Sequence, residues 1–273
     1  MIDLAIIGSG PAALTAAIYA SRAGLNVQIF EKNRLGGALP DISHIANFPG
    51  YDGDGETLAK NLVSQVQNLG VDIDFGTCTS LKPLIIDNEE QFVKSVLIAT
   101  GSEPVHLDLP TTKPVSYCAL CDAPLYVSKN VLVIGGGNSA VGEALYLAKN
   151  IAKTVTVVTH SLLKAEKRIA DELRACKNVT IMENTEPTID LLEQFDGIFV
   201  LIGKKPATQF LPQEMLDEDG FIITDANYMT KVPGVFAAGD VRSGSLKQAI
   251  TAASDGAMAA INISDFLNLG KHF

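Results

Sequence analysis

No apolar run in the 273-residue chain approaches the roughly 18 residues that a membrane-spanning helix needs. The apolar N-terminal stretch Leu4–Ile7 lacks both the basic flank and the length of a secretory leader. Positive charge is scarce as well: 21 Lys and Arg face 31 Asp and Glu, for a net charge of −10. A protein that gripped a phosphate backbone would work against that field, which excludes nucleic acid as a partner. Four cysteines are too few for a disulfide scaffold of this size. These shortages lead to the expectation of a soluble, cytoplasmic protein with no membrane partner. What is present is a 47% hydrophobic chain with 23 Gly and 12 Pro, enough for one large or two small buried cores.

The apolar residues fall into a repeated pattern. LAIIG (Leu4–Gly8) leads into SGPAALTAAIYASRAG and a second apolar run, VQIFEK, which spells strand, glycine turn, alanine-rich helix, strand. From Asn130 the order recurs as VLVIG, GGNSAVGEALYLAKN and TVTVVT. VLIATGSEP (Val96–Pro104) and FVLIGKKP (Phe199–Pro206) close the two copies in the same way. Two parallel βαβ units predict an α/β fold of two Rossmann-like dinucleotide-binding domains, of the three-layer ββα type. The second copy ends near Tyr228, and the tail with its helical stretch Ser245–Leu267 is too short to fold alone. The expected organisation is therefore a discontinuous first domain, 1–111 and 228–273, with a second domain, 112–227, inserted into it.

Gly8-x-Gly10-x-x-Ala13 lies between strand and helix, and Glu31 ends the next strand 21 residues after Gly10. Gly8 permits the tight turn, Gly10 lets a pyrophosphate approach the backbone, and Ala13 allows the helix to pack closely. The helix N-terminus then faces the phosphates and the carboxylate accepts from a ribose hydroxyl. In the tail, GVFAAGDV (Gly234–Val241) is a strand ending in Gly239-Asp240, and the helix after it starts near Lys247, Gln248 and Ala249.

Cys118 and Cys121 form a Cys-x-x-Cys pair followed directly by Asp122. A zinc site would need two further ligands at comparable spacing; His106 and His160 show no such pattern, and Cys78 and Cys176 stand alone, so no metal is expected. Two such thiols can close a disulfide and exchange it through a thiolate.

Taken in order, GSGPAA, Gly36-Gly37 ahead of IANFPGY, ATG (Ala99–Gly101), VSYCALCDAP, GGGNSAVGEALYLA and GVFAAGDV followed by KQAITAASDGAMAA resemble the low-molecular-weight thioredoxin reductases over nearly the whole chain. The resemblance implies FAD on Gly8, Ser9, Gly10, Pro11, Ala12, Glu31, Gly36, Gly37, Asn47, Thr100, Gly101, Gly239, Asp240, Lys247, Gln248 and Ala249. It also implies a homodimer and a thioredoxin-like protein as electron acceptor. Cys121 would receive electrons from the flavin, Cys118 would attack the acceptor's disulfide, and Asp122 would move the accompanying proton.

The second domain departs from the family pattern. Its second strand usually ends in His-Arg-Arg, whereas this chain reads Thr159-His160-Ser161-Leu162-Leu163-Lys164. Two lost charge-assisted bonds to a 2′-phosphate, at roughly 1.5 to 3 kcal/mol each, weaken NADPH by about two to four powers of ten. Neither Thr159 nor His160 supplies the acid that a 2′-hydroxyl would want, although the motif Gly135-x-Gly137-x-x-Ala140 survives. Only a few residues separate MENTEP from DGIFVLIG, where the family runs a strand meander. Together these departures resemble the compact, pyridine-nucleotide-independent branch, the ferredoxin-dependent flavin thioredoxin reductases. Ferredoxin or flavodoxin is then the expected donor. Between Lys149 and Lys177 seven bases stand against three acids, a candidate docking patch for such a carrier or simply a solvated helix face. The competing expectations are a conventional NAD(P)H-dependent reductase, a dithiol oxidase that uses oxygen, and a non-catalytic flavin redox sensor.

Overall fold

The structure, a computed structural model, describes residues 1–42 and 45–270. Its principal elements in chain order are β1 (Leu4–Ile7), α1 (Pro11–Arg22), β2 (Val27–Glu31), α2 (Gly55–Gln67), β3 (Asp72–Phe75), β4 (Val96–Ile98), β5 (Val115–Ser116) and α3 (Ala119–Asp122). After these come β6 (Asn130–Ile134), α4 (Asn138–Asn150), β7 (Thr154–Val158), α5 (Lys167–Arg174), β8 (Val179–Met182), α6 (Ile189–Leu192), β9 (Gly197–Val200), β10 (Val235–Ala237) and α7 (Ala249–Asn268). The chain divides into two compact units, Met1–Glu103 with Lys205–Phe273, and Pro104–Lys204.

In the first unit a parallel sheet runs in the order β10-β4-β1-β2-β3. Both faces of β1 are covered, so its four residues are all apolar and buried. Leu4 and Ile6 point into one core with α1 and α7, while Ala5 and Ile7 point into another. The second core is closed by an antiparallel meander, Cys78–Leu81, Leu84–Ile86 and Glu89–Gln91. Helices, parallel sheet and meander are the three expected layers.

Pro11 opens α1, where its missing N–H costs nothing and its fixed φ suits the helix. Five alanines of α1 (Ala12, Ala13, Ala16, Ala17, Ala20) are buried in the core that α7 shares. The approach is close: a Cβ on Gly256 of α7 would lie 2.0 Å from the Ala12 carbonyl oxygen.

The second unit has its own parallel sheet, β5-β9-β6-β7-β8. Val131, Val133, Val155 and Val157 pack beneath α4 and α5, and Leu132, Ile134, Val158 and Ile198 face the other way. In place of a meander, Leu192 of α6 with Leu107 and Leu109 covers that second face. Glu193, just after α6, ties down residues 111 and 112: it accepts from Thr111 Oγ1 at 2.8 Å, Thr112 N at 2.9 Å and Thr112 Oγ1 at 2.6 Å.

Two boundaries differ from the sequence expectation. The chain crosses at 103/104 and returns at 204/205, rather than at 111/112 and 227/228. Residues 205–227 belong to the first unit because Met215 and Ile222 bury in the core around Ala5, Ile7 and Phe30, and Ile222 bridges Arg242. Helix α7 starts at Ala249 rather than near Ser245, since Lys247 has a φ of +60°, which no helix accommodates.

Candidate functional site

In the first unit the glycine turn after β1 builds a cradle. Gly8 adopts a φ of +104°, and a Cβ there would meet the Ala99 carbonyl oxygen at 2.5 Å, so only glycine fits. Gly10 caps α1 with no side chain on its first N–H groups. Gly37, at φ +59°, comes so near Gly10 that a Cβ would sit 2.9 Å from the Gly10 Cα. Ser9 N–C=O is drawn into the same turn, its carbonyl accepting from Gly36 N at 3.1 Å. Glu31, at the end of β2, is nearly buried and accepts from Ser9 Oγ at 2.6 Å and Asn33 N at 2.8 Å. Each of its oxygens keeps acceptor capacity for a further donor.

The remaining first-unit residues named from the sequence lie on adjoining turns. Thr100 and Gly101 hold Ala207, Thr100 Oγ1 donating to its carbonyl at 2.8 Å and the Gly101 carbonyl accepting its N–H at 3.1 Å. Gly239 and Asp240 form a 3-10 turn, and a Cβ on Gly239 would lie 2.8 Å from the Ala12 Cβ. Asn47 Nδ2 donates to Gln248 Oε1 at 3.0 Å, which joins the Ile45–Phe48 strand to the start of α7. Lys247 places its Nζ 3.9 Å from the centroid of Phe221, and Ala249 is the first residue of α7.

Sequence reading missed the group that holds the Gly239 turn. Asp255 of α7 accepts from Gly239 N at 3.1 Å and Arg242 Nη1 at 2.8 Å through one oxygen, and from Tyr228 Oη at 3.2 Å through the other. Arg242 also stacks on the Tyr228 ring at 4.3 Å. An aspartate among the alanines of ITAASDGAMAA was the available signal.

In the second unit, Cys118 and Cys121 are joined in a disulfide, with Cα atoms 5.3 Å apart. Cys118 caps the single-turn helix α3: its carbonyl accepts from Cys121 N at 3.2 Å and Asp122 N at 3.1 Å, and its Sγ accepts from Cys121 N at 3.2 Å. Both cysteines are partly exposed. Asp122 is held by Ser116, whose Oγ donates to its Oδ2 at 2.7 Å, and Cys118 N donates to that same hydroxyl at 3.2 Å. Ser116 stands in the quoted cysteine motif, yet its role emerges only from this geometry. Of the other thiols, Cys78 is buried and burial pushes it up to about 11, while Cys176 is half-buried.

The second glycine motif lines a cavity of about 510 Å³ with Gly135–Ala140, Thr159, His160, Lys164 and Glu186 on its walls. The end of β7 presents Thr159 where the first unit presents Glu31, and a Cβ on Gly136 would meet Thr159 Oγ1 at 2.6 Å. Among the described residues, Lys164 is the only Lys or Arg on the cavity wall. The basic stretch is partly self-neutralised: Lys149 and Arg168 pair with Glu172, and Arg174 pairs with Asp171 and Glu183. Among the described residues no His, Cys, Asp and Glu cluster is built to hold a metal, and no helix is long and apolar enough to cross a membrane.

A glycine cradle ending in a carboxylate, together with a Cys-x-x-Cys disulfide in a second unit that repeats the βαβ pattern, defines the class of dinucleotide-dependent disulfide oxidoreductases. The chain belongs to the pyridine nucleotide-disulphide oxidoreductase family, whose model matches residues 2–256. It is 38% identical to a 34.2 kDa protein in the rubredoxin operon of Clostridium pasteurianum, covering 97% of each chain. A thioredoxin reductase of Peptoclostridium acidaminophilum is 36% identical over 97% of this chain and 96% of its own. Among solved structures, the thioredoxin reductase of Streptococcus pyogenes superposes with a TM-score of 0.87 at 34% identity, covering 98% of this chain and 99% of that one. The cofactor of these flavin disulfide oxidoreductases is FAD. The cradle fits that group: glycine backbone replaces side chains where a pyrophosphate must approach, and α1 turns bare N–H groups toward it.

Proposed function

We propose that the protein reduces the disulfide of a thioredoxin-like protein through Cys118 and Cys121, with FAD held in the first unit. The observation that carries this reading is the Cys118–Cys121 disulfide on α3 with the Ser116–Asp122 pair in the same turn. Gly8, Ser9, Gly10, Pro11 and Ala12 would hold the pyrophosphate and Glu31 a ribose hydroxyl. Gly36, Gly37, Asn47, Thr100, Gly101, Gly239, Asp240, Lys247, Gln248 and Ala249 would complete the cofactor's surroundings. FAD supplies a two-electron store that can open a disulfide.

Once the pair is reduced, Cys118 at the helix cap is the attacking sulfur. The N–H groups of α3 favour its thiolate. Attack on the acceptor's disulfide forms a mixed disulfide and releases one acceptor thiolate. Cys121 then attacks Cys118, which frees the second acceptor thiolate and restores the internal disulfide. Asp122, oriented by the Ser116 hydroxyl, carries the protons exchanged with Cys121.

We further infer a low-potential one-electron carrier, ferredoxin or flavodoxin, as donor in place of NADPH. What supports this is the second cavity, where Lys164 alone among the described Lys and Arg lines the wall, Thr159 stands where the first unit has Glu31, and the wall's one described acid, Glu186, follows β8 rather than ending β7. A carrier near ~−400 mV feeding a thioredoxin-type disulfide near ~−270 mV drops two electrons through ~130 mV, about 6 kcal/mol downhill. The self-pairing of the basic stretch weakens it as the docking surface. A homodimer belongs to the same reading, supported by exposed apolar side chains on α1 and α7 (Tyr19, Met258, Ile261).

The test is turnover: reduced ferredoxin, this protein and a large excess of oxidised thioredoxin, scored by thiols formed. Many thiols per enzyme are expected; none beyond one pair per enzyme would leave a redox sensor. The second reading, a conventional NAD(P)H reductase, is favoured by the intact glycines and the 510 Å³ cavity.

A further inference from the structure

One carboxylate in the second unit takes no part in the mechanism above and touches its most reactive turn. Glu143 of α4 is half-buried beside the helix's buried apolar residues, Ala140, Val141, Ala144, Leu147 and Ala148. Its Oε2 accepts the N–H of Ala119 at 2.5 Å. Ala119 is the first residue of α3, bonded directly to Cys118, so covalent geometry puts that oxygen within about 5 Å of the Cys118 Cα.

The contact has two consequences. The Ala119 N–H is an orphan donor of a helix start, and a thiolate at the cap would otherwise draw on it. The carboxylate also sets a negative charge one peptide unit from the residue whose sulfur must itself become negative to react. Burial raises the Glu143 carboxyl above the ordinary glutamate range, and the Ala119 N–H and the Lys204 ammonium partly offset this. Asp122 is the acid on α3 itself, and on α5 Glu172 pairs with Lys149 further along α4 and with Arg168, while Asp171 pairs with Arg174.

We propose that Glu143 is a positioning residue that sets the acidity of the Cys118 thiol: its carboxylate takes the first N–H of α3 and opposes a second negative charge on Cys118. Opening the S–S bond consumes two electrons, from the family's FAD, and two protons, and leaves one S–H on each cysteine. Loss of the Cys118 proton then makes the nucleophile. A charge that disfavours this thiolate destabilises the reduced pair and makes it a stronger reductant. The inference rests on the redox role given to the pair above, but it is read at the thiol itself, whichever protein is the acceptor.

The experiment uses the full-length holoprotein, reduced with excess dithiothreitol and alkylated by iodoacetamide across a pH series, with Cys118 modification quantified by peptide mass spectrometry. Glu143→Gln, which keeps an acceptor for Ala119 N but removes the charge, should lower the alkylation midpoint by about one pH unit, tenfold in thiolate below both midpoints. Glu143→Asp, which keeps the charge, should hold the wild-type midpoint. An unchanged or raised midpoint in Glu143→Gln, or a fall in Glu143→Asp that matches it, would overturn the proposal. A purely structural role would lower the thermal midpoint of both variants and leave both alkylation profiles in place, which also overturns it.

Discussion

At the scale of single residues, chemistry is divided among thiols that environment has made unlike. Cys118 sits at a helix cap among N–H donors, whereas Cys78 is buried and pushed up to about 11. Cys118→Ser should abolish multiple-turnover reduction of a thioredoxin disulfide, and Cys78→Ser should leave the rate unchanged; a thiol-release assay on both variants checks the pair. Asp255 is the corresponding residue for the cofactor unit. It binds Arg242 in an ion pair whose side chains are only 14% and 18% exposed, and the same oxygen fixes the Gly239 N–H. Asp255→Ala leaves a half-buried guanidinium without its partner, a loss of about 3 kcal/mol. A fall in the thermal midpoint together with faster FAD loss on gel filtration is the expected outcome.

Between elements, the closest fit is that of α1 against α7. Gly256→Ala would drive a methyl group into the Ala12 carbonyl, and since both partners are backbone, relief must come from moving a helix. We expect a destabilisation of about 1 to 3 kcal/mol in urea unfolding, and weaker FAD retention because Ala12 opens the cradle helix. The tie between α6 and residues 111–112 gives a pH dependence. Hydrogen bonds from Thr112 and Thr111 hold the Glu193 carboxyl down at about 2, below its usual 4.5. A depressed acid contributes stability that is full above the unfolded value and lost as pH falls from about 4.5 to about 2. Glu193→Gln should flatten that part of the unfolding profile. Much of this scale was legible in the sequence. Both βαβ units show as apolar runs broken by glycine, whereas the strands of the first unit's meander, Cys78–Leu81, Leu84–Ile86 and Glu89–Gln91, carry no motif that places them. The return of the chain at Lys205 was not legible, because Met215 and Ile222 reach the core from irregular segments with no period to read. Glu143 and Asp255 escaped notice because their partners, the Ala119 N–H for one and Gly239 N, Arg242 and Tyr228 for the other, lie far off in sequence and are brought close only by packing.

For the whole molecule, the issue is where electrons enter. The first unit carries every feature of a dinucleotide cradle, down to the carboxylate at the end of β2. The second keeps the glycines and a cavity, with Lys164 as the one Lys or Arg among the described residues on its wall, and carries the Cys118–Cys121 disulfide. The proposed donor rests on that contrast: we infer a working sulfur relay beside a nucleotide site too weak to feed it. Anaerobic titration of the oxidised holoprotein with NADPH, then NADH, followed at the visible absorption band of the flavin, tests it most directly. The account predicts an unbleached flavin with stoichiometric nucleotide and full bleaching on adding reduced ferredoxin; rapid stoichiometric bleaching by either nucleotide would contradict it.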